Sequence, residues 1–432
     1  MFGLNKANTS IKTEVTAGLT TFLTMAYIII VNPIILSSAG VPFQQAFTAT
    51  IIATIVGTLC MAFLGNYPIA IAPGMGLNAY FAYSVVSKTH GITYQLGFAA
   101  VFVTGIIFLL LSLTSFRTKL IEAIPDTLKY AISSGIGLFI AFLGLRLSHI
   151  IVANKDNLVG LGNLHSQDVI LTLVGLGITI VLFALNVNGA LFIGMAVTAI
   201  IAYFTGQLHF NGVISAPSLP DKMIISNPIT AFSDVISHNL YSVVFSFLLV
   251  TIFDTTGTFL GVASQIGLLK NKQESRMGKA MISDSLATTI GSMFGTSPTT
   301  AYVESTAGVA AGGRTGLTAL TVVVLFAFAA FFSPLVNAIS GVEAITSPSL
   351  IIVGSLMIGN VRHIEWEQFE EAFPAFMVLI TMPLTSSIST GIALGFISYP
   401  LLKIVKGKAK QVKPIIYVFA ILFLINLIFF TH

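Results

Sequence analysis

The sequence predicts an all-α polytopic membrane protein built from two halves of seven segments in inverted orientation. Three observations lead there. Hydrophobic residues fill 55% of 432 positions and charged residues only 8%, with a mean hydropathy of +0.94, whereas soluble domains carry about 25% charged residues. Apolar runs of about 17–25 residues recur along the whole chain, each long enough to cross a bilayer as a helix. Finally, Gly65-Asn66-Tyr67-Pro68 returns as Gly295-Thr296-Ser297-Pro298, the same Gly-x-x-Pro pattern 230 positions later (295 − 65).

The first seven segments fall at 16–36, 45–65, a short one near 75–87, 95–115, 129–148, 168–186 and 189–206. The second seven fall at 240–264, 278–294, a short one near 300–312, 314–333, 346–361, 370–387 and 390–405. A further apolar stretch, 414–430, either adds a fifteenth span or makes segments 13 and 14 one broken helix. The first segment lacks a small-residue cleavage site and reads as a retained span. With the N-terminus inside, 16 of the 20 Lys and Arg face inward and four (Lys88, Arg146, Lys155, Lys222) face outward, as the positive-inside rule requires. These residues are scattered topology anchors. They account for the net charge of +4 without a nucleic-acid partner, and the cluster 403–413 is placed to touch anionic membrane lipid.

Seven segments per half is an odd number, so the halves have opposite orientation, the plan of secondary transporters. Tyr67–Pro73 has proline at both ends and cannot hold a helix. It predicts an extended strand leading into a half-helix at Gly74, and Thr296–Thr300 predicts the same before segment 10. Such backbone survives at membrane depth only where protein or a wet cavity satisfies it. Two half-helix N-termini meeting there make a polar site.

Two acids stand out in the apolar body, Asp254 in segment 8 and Glu304 in segment 10. A charge at the bilayer centre costs roughly 2.5 kcal/mol or more, so each is a functional candidate, with a helix-tying acid as the alternative. Thr258 lies one turn beyond Asp254 on the same face. Tyr302 and Ser305 flank Glu304. Asn78 can both donate and accept, which suits the edge of a heterocycle. Thr24 is the segment 1 counterpart of Asp254, again 230 positions away (254 − 24). Asp284 is expected near the inner end of segment 9 in a structural hydrogen bond, and Pro383 is expected to break segment 13 near its end. No histidine falls within a span, which disfavours a metal site or histidine relay. The single cysteine, Cys60, excludes an intrachain disulfide, and no phosphate-binding Gly-rich loop supports ATP drive.

At these residues the chain resembles the nucleobase–cation symporters, in their AzgA-like purine permease branch. The likeness spans nearly the whole chain. It rests on Thr13-Glu14-Val15-Thr16-Ala17-Gly18, Thr24-Met25-Ala26-Tyr27 and Asn32-Pro33 in segment 1. It continues in Ala72-Pro73-Gly74-Met75-Gly76-Leu77-Asn78-Ala79, Asp254-Thr255-Thr256-Gly257-Thr258 and Gly295-Thr296-Ser297. Glu304-Ser305 with Gly308-Val309-Ala310, and Arg314-Thr315-Gly316-Leu317, complete it.

The resemblance implies a uracil-transporter-like fold, with a core domain from 1–116 and 231–334 and a gate domain from 117–230 and 335–432. It implies that Asp254, Glu304, Asn78, Tyr302, Thr258 and Thr24 form the base site. Asp254 or Glu304 would couple transport to a proton, with no other cofactor. Some relatives carry an acid where this chain has Thr251, so the coupling residue stays open. A homodimer, a cell-membrane location and a cytoplasmic N-terminus are implied likewise. An anion transporter of the same architecture, or an intramembrane enzyme using Asp254 and Glu304, are the alternative readings. The two buried acids argue against the first, and the lack of a Gly-x-Gly-Asp motif against the second.

Overall fold

The structure is a computed structural model describing residues 2–7, 9–87, 92–114, 123–155, 158–210, 212–217, 223–265 and 273–429. The side chains of 6, 253, 256–258, 260–265, 273–277, 426 and 429 are excepted. The predicted anchors Lys88, Arg117, Lys119, Lys222, Lys270 and Lys272 lie outside the described residues, as does His90. So do the side chains of Lys6 and Arg276. Among the described residues, eight helices are long and apolar enough to cross a membrane, from Ile11–Ser37 to Ile388–Val405. The chain is a mostly helical multi-pass protein whose exposed large hydrophobic side chains dot the outer faces of these helices, as a lipid-facing surface requires.

Its centre is not helical. Strand β1 (Ile71–Pro73) is followed at once by a short helix, Met75–Ala79, which continues as a π-helical stretch, Tyr80–Val86. A surface hairpin is formed by β2 (Ile151–Asn154) and β3 (Leu158–Leu161). Strand β4 (Thr299–Ala301) precedes the second short helix, Ser305–Ala310. Strands β1 and β4 pair antiparallel, Ile71 opposite Ala301 and Ala72 opposite Thr300. The pairing satisfies backbone groups that could not otherwise be buried.

The repeat is visible in this pairing. Ile71 and Ala301 are themselves 230 apart (301 − 71), so a local twofold exchanging the halves passes through the pair. One step out on either side, Ala72 faces Thr300 and Tyr302 N–H donates to Ala70 C=O at 2.9 Å. The helices behind the strands cross on the same axis: a Cβ placed on Gly57 would come within 2.6 Å of the Cβ of Ala287, again 230 positions on (287 − 57). Only a glycine lets these helices approach that closely.

The two halves are also clasped at one end. Glu14 is fully buried, and its carboxylate accepts the N–H groups of Arg314, Thr315 and Thr318 at 3.0–3.2 Å and the Thr318 hydroxyl at 2.6 Å. It thereby caps the helix Gly316–Ala329, where a negative charge is favoured. Asn66 adds its Oδ1 to Gly316 N–H at 2.8 Å. Two motifs that lie 300 residues apart in sequence are one contact in space.

Three expectations need correction. Asp254 and Glu304 are not the only acids in the body: Glu14, Asp284, Glu370 and Glu371 are all buried. The basic cluster is not simply a lipid-facing anchor. Lys403 is buried and pairs with Glu371 at 2.6 Å, and Lys408 pairs with Glu370, because a charge inside a helix bundle needs a counter-charge. Pro383 does not break its helix. Phe369–Thr385 runs through it and ends where Ser386 turns left-handed (φ 48°), and a new helix, Ile388–Val405, follows. The stretch after it is a separate helix, Pro414–Phe429.

Candidate functional site

The β1–β4 pair sorts the acids. Side chains alternate faces along a strand, so Thr299 and Thr300 point opposite ways. Asp284 sits at the middle of the helix Gln273–Phe294, not near its inner end. It accepts the Thr299 hydroxyl at 2.6 Å and the Thr255 hydroxyl, while the Thr288 hydroxyl accepts from Thr299 N–H at 3.0 Å. Asp284 is therefore a fully buried fastener of β4. Asp254, one residue from Thr255, lies near Thr300, whose side chain points to the other face of the strand. Consecutive residues of the helix Tyr241–Gln265 thus serve opposite faces of one strand.

Glu304 lies on the side of Asp254 and the two carboxylates interact electrostatically. It stands immediately before the helix Ser305–Ala310. The Tyr27 hydroxyl donates to its Oε1 at 2.6 Å, and Thr24 donates to its backbone oxygen at 3.3 Å. Both acids are half-buried, and Val303 beside Glu304 is 58% exposed. Both residues thus keep some exposure, unlike Asp284.

Asn78, on the Met75–Ala79 helix, is buried and donates its Nδ2 to Asn32 Oδ1 at 2.9 Å, while its own Oδ1 has no partner among the described residues. Thr251, one turn before Asp254, likewise has a buried hydroxyl without a partner among the described residues. Tyr302 is buried with its hydroxyl donated to the Pro73 carbonyl at 2.6 Å, so it braces the strand crossing. Thr24 gives its hydroxyl to the Thr21 carbonyl of its own helix at 2.8 Å as well as to Glu304, a supporting position. Thr258 lies on the same helix as Asp254, but its side chain is outside the described residues.

The structure thus gathers Asp254, Glu304, Tyr302 and Thr24 around one crossing, with Asn78 on the short helix after β1. Sequence reasoning passed over three residues there: Tyr27, Asn32 and Thr300. Tyr27 and Asn32 were present in the quoted segment 1 motifs. A tyrosine two residues past the end of the helix Ile11–Met25 was the available signal, since the chain turns there before resuming as Ile28–Ser37. Nothing in the sequence pairs Tyr27 with a carboxylate 277 positions away.

A multi-pass helical fold with a non-helical, acid-bearing centre defines a membrane permease. The chain belongs to the Permease family: the family model Xan_ur_permease matches residues 12–394, and the relatives place it in the nucleobase–cation symporter branch. It is similar to the guanine/hypoxanthine permease PbuO of Bacillus subtilis (strain 168), 66% identical over 429 residues and covering 99% of each chain. It is also similar to the adenine permease AdeP of Escherichia coli (strain K12), at 41% identity over 99% of this chain and 95% of the relative. Among solved structures, the transmembrane domain of a cyanobacterium bicarbonate transporter, BicA, matches with a TM-score of 0.65 and 15% identity. That match covers 88% of this chain and 97% of BicA, and it speaks to the fold alone.

Proposed function

We propose that the protein imports purine nucleobases, among guanine, hypoxanthine and adenine, by proton symport across the cell membrane. The carrying observation is the acid pair: Asp254 and Glu304, half-buried at the strand crossing, with Glu304 held by Tyr27. A carboxylate accepts two N–H groups side by side, which matches the donor edge of a purine. Asn78 adds an amide contact, Thr258 lies along the same helix as Asp254, and Tyr302 and Thr24 brace the frame. The guanine/hypoxanthine and adenine permeases to which the chain is similar support the substrate class.

Packing supports a core of 1–116 with 231–334 and a gate of 117–230 with 335–432. Helix Ile11–Met25 packs on Gly316–Ala329 and Tyr94–Ser112 on Gln273–Phe294, whereas Asp126–Leu147 packs on Glu343–Met357 and Phe369–Thr385. In this reading the fourteen segments form a seven-plus-seven inverted repeat with a cytoplasmic N-terminus. The core carries the base, and the proton shifts the balance between outward and inward states by differential affinity. In this reading the protein assembles as a homodimer.

Uptake of radiolabelled hypoxanthine, guanine, adenine and uracil in a permease-null strain, with and without an uncoupler, tests this. Uncoupler-sensitive purine uptake is expected. No purine uptake, or uptake of bicarbonate instead, would overturn the reading. In the same assay, Tyr27→Phe is expected to lower uptake about tenfold, because one hydrogen bond to a charged group is worth about 1.5–3 kcal/mol. Unchanged KM and rate in that variant would remove Tyr27 from the site.

A further inference from the structure

We infer that Asn32 is a positioning residue that fixes the amide of Asn78, so that Asn78 meets the bound base as a hydrogen-bond acceptor. The inference rests on the base site proposed above. It starts from a chain of bonds whose direction is set at one end. The Thr50 hydroxyl donates its single hydrogen to the Ala46 carbonyl at 2.6 Å. Towards Asn32 it can then offer only a lone pair. The Asn32 side chain must therefore turn its Nδ2 to Thr50, and the bond is 2.8 Å. The second Nδ2 hydrogen goes to the Thr296 hydroxyl at 2.9 Å. With its nitrogen occupied, Asn32 presents Oδ1 to Asn78, whose Nδ2 answers at 2.9 Å.

The end of the chain is the informative part. Asn78 Oδ1 is buried and has no partner among the described residues, and buried polar atoms in native proteins are rarely left so. Asn32, Thr50, Asn78 and Thr296 are all fully buried, so water does not compete and neither amide can turn over without placing oxygen against oxygen. Four elements contribute to the relay: the helices Ile28–Ser37, Phe43–Cys60 and Met75–Ala79, and the turn before β4. An asparagine is otherwise ambiguous, able to present either end. Here the surrounding frame removes the ambiguity, so the partner of Asn78 Oδ1 is an N–H of the base and not a ring nitrogen or carbonyl.

The test is competition against hypoxanthine uptake by 7-deazahypoxanthine, 9-deazahypoxanthine and purine, which lack in turn a hydrogen-bonding nitrogen at position 7, 9 or the N1–H edge. Wild type is expected to reject at least one by about tenfold or more, since a site built for an N–H leaves its acceptor unpaired with the wrong ligand. Asn32→Leu, which frees Asn78 to turn, is expected to shrink that discrimination to within about threefold. Asn32→Asp keeps an acceptor towards Asn78 and is expected to preserve it. Membrane abundance is measured for each variant. If both variants lower uptake with the wild-type discrimination intact, Asn32 is only structural and the inference fails. The same holds if wild type takes up hypoxanthine but rejects none of the analogues. If wild type takes up no hypoxanthine, it is the purine reading that fails.

Discussion

Glu304→Gln is expected to reduce purine uptake by at least about a hundredfold while the protein still reaches the membrane. The side chain keeps its shape, so packing is unaffected. What changes is the number of acceptors. The carboxylate serves Tyr27 with Oε1 at 2.6 Å, and its second oxygen is the acceptor assigned to the base. A glutamine has one oxygen, which either Tyr27 or the base takes, and turns an NH2 group towards the other. Two hydrogen bonds to a charged group, each worth about 1.5–3 kcal/mol, correspond to a loss of roughly a hundredfold or more at about 1.4 kcal/mol per tenfold. Initial rates of hypoxanthine uptake, normalised to membrane abundance, decide it. Wild-type rates in Glu304→Gln would sink the assignment of Glu304 to the base.

Much of this site was legible in the sequence because membranes make polar exceptions conspicuous. An acid amid Phe, Leu and Val needs a reason, and that alone singled out Asp254 and Glu304. Proline spacing and the offset of 230 pointed to the strand crossing, since both features act locally and need no knowledge of distant contacts. The offset did more than expected, because Ile71 opposite Ala301 and Gly57 against Ala287 lie on the exchange axis itself.

What stayed hidden was partnership. Glu14 reads as an ordinary acid in the first turn of a helix near the N-terminus, yet it caps a helix 300 residues later. Lys403 reads as a cytoplasmic anchor, yet Glu371 draws it inside the bundle. Asp284 differs from Asp254 only in its neighbours: Thr255 and Thr299 enclose it, and no pattern in the chain announces that enclosure. Tyr27 and Asn32 are single polar residues in an apolar segment, and their meaning lies wholly in what the fold sets against them.

The contrast between the two aspartates supplies the second large effect. Asp254→Asn is expected to abolish uphill accumulation of purine driven by an imposed proton gradient in proteoliposomes, a loss of about a hundredfold or more if two charge-assisted contacts go. The residue is half-buried beside Glu304, and β4 is fastened through Asp284, so the substitution leaves β4 in place while removing a group that can take up and release a proton. Asp284→Asn should behave differently. Its carboxylate accepts from both Thr255 and Thr299, and an amide exchanges one of those acceptors for a donor. Leaving a buried hydroxyl facing that donor costs about 1–3 kcal/mol, which appears as a lower melting temperature and less folded protein, with the coupling of the surviving molecules unchanged. Proton-driven accumulation surviving in Asp254→Asn, or lost without loss of stability in Asp284→Asn, would exchange the two roles. The strand between them makes the test sharp, because Thr299 and Thr300 are neighbours in sequence and yet point to opposite faces, Thr299 to the structural acid and Thr300 towards the acid proposed for transport.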